Sequence, residues 1–247
     1  MSLVVKICGL TTPEALDAAL DERADMVGFV FFPLSPRNVS METARTLGAR
    51  VQGRAGKVAL SVDADDELLT DIVRALSPDV LQLHGTESPA RVAAVKRRFG
   101  RPVMKAVAVA AKVDLAVAAD YAAVADRLLF DARAPREATR PGGLGKPFDW
   151  RLLEGLDPGL PFMLSGGLDA GNVADALRVT RAPGVDVSSG VESVPGKKDP
   201  DKVRAFIRAA RQAAAGLDFS SPLPEGARPA AKDPARNGRA DDKVRAG

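Results

Sequence analysis

One cysteine and one histidine in 247 residues set the first limits on what this chain can be. A lone cysteine excludes an intrachain disulfide, and with it a stapled small fold or a cysteine-based zinc cluster. A single histidine supports neither a His-rich metal site nor a nucleophilic triad. Only 4% of residues are aromatic, and no basic stripe is interleaved with them, so a nucleic-acid partner is not expected. The formal charge of +3 is mild, and residues 217–247 hold six Lys/Arg against five Asp/Glu, so the tail supplies only one of those three charges. No stretch reaches the ~18 apolar residues of a membrane span. Lys6 and Cys8 interrupt the opening strand before an apolar leader could develop. No membrane partner is expected, and the chain reads as a soluble cytoplasmic protein.

What is present is rhythm. Hydrophobic residues make up 46% of the chain, enough for one large core. Apolar runs of strand length alternate with helical patterns throughout, which argues for a parallel sheet with helical crossovers. Strands are predicted at 3–8, 26–32, 57–62, 80–84, 102–107, 127–131, 161–164 and 185–187. Helices are predicted from Pro13 to about Arg23, after Ser40, and over 65–76, 88–99, 112–125, 170–179 and 199–215. Start signals support them: Thr12-Pro13-Glu14 gives an N-cap, a proline at the first helical position and an acid in the first turn. Eight strand–helix units in about 216 residues match the size of a single (β/α)8 TIM barrel within the α/β class. A doubly wound open sheet is the competing architecture. Residues 1–216 are read as the barrel, and 217–247 as a low-complexity tail too rich in Pro, Ala, Gly and charge to offset its ordering entropy, hence disordered.

In such a barrel the chemistry gathers at the C-terminal tips of the strands. Cys8 closes the first strand and is followed at once by Gly9. Asp131 closes the sixth, after the apolar run Leu128-Leu129-Phe130. Gly166 and Gly167 follow strand seven, and Ser188, Ser189 and Gly190 follow strand eight. Two adjacent glycine turns at that rim suit a phosphate, which backbone N–H groups can approach with no side chain in the way. Strands seven and eight lie between six and one in barrel order, so a phosphosugar anchored there would meet a thiol on one side and a carboxyl on the other. That layout suits acid–base isomerisation. Arg37, in the loop after strand two, can clamp a carboxylate or stand as a solvated loop arginine. His84 shares a strand face with Gln82 and reads first as a structural histidine satisfied by neighbouring backbone. By the same alternation Lys6 lies beneath Cys8 and Asp186 beneath Ser188, on neighbouring strands of a closed barrel, and the two are expected to pair.

Seven blocks occur in order: Lys6-Ile7-Cys8-Gly9-Leu10-Thr11, Gly28-Phe29-Val30-Phe31, Ser35-Pro36-Arg37, Gln82-Leu83-His84-Gly85, the stretch Gly142 to Trp150, Leu164-Ser165-Gly166-Gly167-Leu168, and Val185 to Asp199. Together they resemble the phosphoribosylanthranilate isomerase family of tryptophan biosynthesis, from about residue 3 to 215. The resemblance implies an Amadori rearrangement, with Cys8 as general base, Asp131 as general acid and Arg37 on the anthranilate carboxylate. It implies no metal or organic cofactor, a small phosphoribosyl substrate as partner, and a monomer or homodimer. His84 and Asp186 join Arg37 as candidate substrate-binding residues, and the two glycine turns are assigned to the phosphate. Departures are the strand-three run Lys57 to Asp63, the ending Phe130-Asp131-Ala132-Arg133, and an insertion at 133–140 that lengthens the loop after strand six. Other phosphate-binding barrels, of the thiamine-phosphate synthase or phosphopentose epimerase kind, would call for pyrophosphate- or metal-binding residues that are not found. A silent metabolite-binding barrel would have no use for both Cys8 and Asp131.

Overall fold

Eight parallel strands close into a barrel in the order β1 to β8, with β8 pairing back onto β1. The computed structural model describes residues 2–217 apart from 136, 144 and 146; the expected tail beyond 217 lies outside the described residues. The strands are β1 Val4–Cys8, β2 Met26–Phe31, β3 Gly56–Ser61, β4 Val80–Leu83, β5 Val103–Val109, β6 Arg127–Ala132, β7 Phe162–Leu164 and β8 Gly184–Val187. Crossover helices α1 Pro13–Asp21, α2 Met41–Val51, α3 Asp66–Leu76, α4 Pro89–Phe99, α5 Ala118–Ala122, α6 Val173–Thr180 and α7 Pro200–Ala215 pack outside. A short hairpin, β9 Glu192–Val194 and β10 Lys197–Lys198, follows β8.

The caps read from sequence at Thr12 and Ser40 are in place, and Asp65, Ser88 and Asp199, expected as first helical residues, are caps as well. The side chains of Thr12, Ser40, Asp65, Ser88 and Asp199 accept hydrogen bonds from the backbone N–H groups that open α1, α2, α3, α4 and α7. One expected helix differs. The stretch 112–125 forms a 3-10 segment, Lys112–Val117, and only a five-residue α5. No side chain of that 3-10 segment is buried, and Val113 and Val117 point to solvent. With no apolar face to bury, tertiary packing does not reward a longer helix. Between β6 and β7, where the sequence reads as a long loop, the chain carries a 3-10 turn, Trp150–Leu153, and Gly155 and Gly159 adopt positive φ (69° and 77°) among prolines. Buried Leu153 packs into the core in place of a helical face.

The interior is layered, as period-2 strands in a closed barrel require. Met104, Leu129 and Met163 plug the N-terminal end, packed with Val4, Met26 and Val80. Cys8, Val30 and Leu60 form the upper layer. Lys6, Gln82 and Asp186 lie between them, polar and buried. Only one Cα pair, Leu164 with Val185, joins β7 to β8.

Candidate functional site

A cavity of about 350 Å³ opens at the C-terminal ends of the strands, and Cys8, Arg37, His84, Asp131 and Asp186 all line it. Gly166, Gly167, Ser188 and Ser189 line the same cavity. Gly190 does not; its Cα packs so tightly on the Leu168 carbonyl that a Cβ would overlap it, so this glycine fits the two turns together.

Cys8 ends β1 against Gly28 of β2, where an added Cβ would lie 3.0 Å from Cys8 Sγ and 3.2 Å from Lys6 Nζ. The bare backbone at Gly28 makes room for both groups. Lys6 and Asp186 form the expected pair, Nζ to Oδ1 at 2.8 Å, and Ser165 Oγ donates to Asp186 Oδ2 at 3.4 Å. Asp186 therefore sits on the cavity floor with its oxygens already engaged. Burial disfavours the Lys6 ammonium, but Asp186 and Cys8 together more than compensate and raise it. Burial pushes the Cys8 thiol up, and Asp186 adds to that; Lys6 and, less, Lys198 pull it down without cancelling the rise. In the free protein the proton is held on sulfur.

Asp131, at the end of β6, accepts from the Ala132 N–H at Oδ1 (2.9 Å) and meets His84 Nε2 at Oδ2 (3.1 Å). Gln82 Nε2 contacts His84 Nδ1 at 3.0 Å, and as Gln82 is oriented it donates, which leaves the imidazole proton on Nε2, facing Asp131. The expected backbone partners of His84 are thus replaced by two side chains. It is a bridge between Gln82 and the carboxyl rather than a passive core residue.

Arg37 is buried and its fork is occupied. Nε and Nη2 donate to Glu192 Oε1 and Oε2 at 2.7 and 2.8 Å, and Nη2 also donates to the Gly143 carbonyl at 3.1 Å. Glu192 in turn accepts from Lys198 Nζ at 2.6 Å. Burial disfavours the Glu192 carboxylate, yet Arg37 and Lys198 together outweigh it and hold the group below the usual glutamate range. Lys198 is lowered by its burial, against the raising pull of Glu192. Neither Glu192 nor Lys198 was indicated by spacing; both lie in a polar run that reads as a solvated loop.

The turn glycines adopt φ of 86° at Gly166 and 67° at Gly167, and among the described residues neither N–H has a hydrogen-bond partner. Ser188 Oγ donates to the Cys8 carbonyl at 3.1 Å, which ties the second turn to β1. Pro141, Gly142 and Gly143 cross the cavity as a strap. A Cβ at Gly142 would overlap Asp131 Oδ2, and one at Gly143 would overlap Arg37 Nη1. Among the described residues no group of three His, Cys, Asp or Glu stands close enough to hold a metal ion, and no helix is long and apolar enough to cross a membrane.

Comparison with known proteins agrees with this geometry. The model of the family described as N-(5'phosphoribosyl)anthranilate (PRA) isomerase matches residues 5–209. The N-(5'-phosphoribosyl)anthranilate isomerase of Bradyrhizobium diazoefficiens is 69% identical over 211 residues, covering 85% of this chain and 95% of its own. The crystal structure of phosphoribosyl anthranilate isomerase from Thermotoga maritima superposes with a TM-score of 0.77 at 36% identity, over 85% of this chain and 99% of that one. A further structure of such an isomerase, in complex with reduced 1-(o-carboxyphenylamino)-1-deoxyribulose 5-phosphate, matches with a TM-score of 0.74 at 35% identity, over the same shares.

Proposed function

The chain belongs to the N-(5'-phosphoribosyl)anthranilate isomerase family, and from that premise we propose that Cys8 and Asp131 carry the two proton transfers of its reaction. The enzyme converts N-(5-phosphoribosyl)anthranilate to 1-(2-carboxyphenylamino)-1-deoxyribulose 5-phosphate, an Amadori rearrangement in tryptophan biosynthesis. The observation that supports the assignment is that a thiol from β1 and a carboxyl from β6 face one cavity, on either side of the glycine turns that follow β7 and β8.

The two groups share one proton. At rest it is on sulfur; in the reacting form it is on Asp131, leaving Cys8 as thiolate. The Asp131 carboxyl then protonates the furanose ring oxygen as the C1′–O bond breaks, and the anilino nitrogen supplies the electrons for the protonated Schiff base. Cys8 thiolate removes the C2′ proton, and the released pair forms the C1′–C2′ double bond of the enolamine. Reprotonation at C1′ gives the ketone, and passage of the remaining proton restores the resting pair. His84, through Nε2, fixes the acid's orientation. The N–H groups of Gly166 and Gly167, whose positive-φ backbone offers donors without a Cβ in the way, hold the phosphate together with Ser188 and Ser189 of the turn that Gly190 packs in place. Nη1 of Arg37 faces the cavity with no protein partner among the described residues and takes the anthranilate carboxylate. We place the enzyme in the cytoplasm, acting as a monomer or homodimer on a small phosphoribosyl substrate without a cofactor.

Cys8→Ala and Asp131→Asn should each lower kcat by about 10²–10⁴-fold, the usual loss for one proton-transfer group. Fluorescence loss of the anthranilate substrate reads this directly, and near wild-type turnover in either variant would remove that residue from the mechanism.

A further inference from the structure

We propose that Glu192, which does not line the cavity, is the positioning residue that aims Arg37 at the substrate carboxylate, and that the β9–β10 hairpin exists to deliver it. The inference rests on the assignment of Arg37 to that carboxylate.

Arg37 sits in the loop between β2 and α2, where no regular element fixes its side chain; the one local tie is from its own backbone N–H to Ser35 Oγ at 3.2 Å. Its direction is set from 155 residues away, by both oxygens of Glu192. A guanidinium gripped through Nε and Nη2 is fixed in plane and rotation, and only Nη1 is left to point inward.

Charge count carries the argument further. Arg37, Glu192 and Lys198 are each buried, with 4%, 5% and 0% of the side chain exposed, and they form a cluster of two cations and one anion. Buried charge is costly unless matched. Glu192 is shared between the two cations, Lys198 is fully engaged by Ser188 and Glu192, and the cluster's open donor is Arg37 Nη1, on the residue that lines the cavity. A carboxylate arriving at Nη1 gives the Arg37 guanidinium a counter-ion that it does not share with Lys198. A substrate without that carboxylate leaves Nη1 unpaired.

The hairpin is held independently of Arg37. Gly196 packs on the Pro36 carbonyl so closely that a Cβ there would overlap it, Thr11 Oγ1 donates to the Gly196 carbonyl at 3.4 Å, and Lys202 Nζ donates to the Glu192 carbonyl at 2.8 Å. Lys198 also donates to Ser188, to the backbone oxygen at 3.1 Å and to Oγ at 3.2 Å. One hairpin thereby braces both the carboxylate clamp and the turn after β8, and fixes the separation at which a substrate can touch the two together.

The test compares N-(5-phosphoribosyl)anthranilate with N-(5-phosphoribosyl)aniline, which lacks the carboxylate, in wild type, Glu192→Gln and Arg37→Ala. Glu192→Gln should raise KM for the anthranilate substrate about tenfold or more with kcat within a few-fold, and leave kcat/KM for the aniline within about twofold. Glu192→Asp keeps the charge and should restore part of the preference; it also serves if the glutamine variant does not fold. If Glu192→Gln, or Glu192→Asp in its place, depresses both substrates equally, or leaves the preference whole while Arg37→Ala abolishes it, the positioning role is wrong. If Arg37→Ala itself keeps the preference, the carboxylate assignment of Arg37 fails first.

Discussion

Lys6 and Asp186 stand opposite one another in the parallel register of β1 and β8, and their charged atoms meet at 2.8 Å one layer beneath Cys8. The pair is sealed, with 0% and 5% of the two side chains exposed. Removing one partner strands the other. Lys6→Met should cost about 3–5 kcal/mol of stability, whereas Lys6→Met with Asp186→Asn should recover much of that loss. Urea unfolding of the two variants and wild type decides it, and equal stability of single and double variants would show that the charges are not coupled.

The double variant also tests the field on the thiol. Burial keeps the proton on Cys8, and the reacting form proposed above needs that same proton on Asp131, so kcat/KM should fall once it is lost to solvent, along a limb above the ordinary thiol range. Lys6 lowers the thiol more strongly than Asp186 raises it. Loss of both should therefore move the limb to still higher pH. The pH profile of kcat/KM, which reports the free enzyme, checks the direction; an unmoved or acid-shifted limb would show that Lys6 does not act on the sulfur.

Gly142 gives a steric probe of the acid. A methyl group there must displace Asp131 Oδ2 or the His84 ring, since an added Cβ lies 2.9 Å from His84 Nε2 and overlaps the carboxyl. Displacements of about 1 Å at reacting groups can cost ~10²-fold, so Gly142→Ala should lower kcat by about that factor while barely changing the melting temperature. Wild-type turnover in this variant would mean that the strap yields instead of the acid.

The placement of Cys8 and Asp131 on one cavity was legible because each is an ionisable residue that terminates an apolar strand, and the Lys6–Asp186 contact was legible because alternation fixes which side chains share a barrel layer. Glu192 was not legible. It belongs to a run, Glu-Ser-Val-Pro-Gly-Lys-Lys, whose composition is that of an exposed loop, and it becomes buried only because the hairpin folds onto a loop far away in sequence. His84 was placed on the correct face, yet its Asp131 partner lies 47 residues on, across β5, and local pattern does not report such a contact. The segment 112–125 misled for the opposite reason: its alanines favour helix, but helix length here follows buried surface, and Lys112–Val117 has no buried residue while α5 has Ala118 alone.

The single rung between β7 and β8 has a consequence for the ring as a whole. Beyond Leu164 and Val185 the backbone ladder gives way to a side-chain link, Ser165 Oγ to Asp186 Oδ2 at 3.4 Å, and the amides of Gly166 and Gly167 leave the end of that seam with no carbonyl to meet among the described residues. A phosphate seated there, as proposed above, spans the gap with its own oxygens and so acts as a clasp as well as a handle. On that reading the substrate would add a tie across the seam that has the fewest backbone pairs, beside the cavity that Cys8 and Asp131 line.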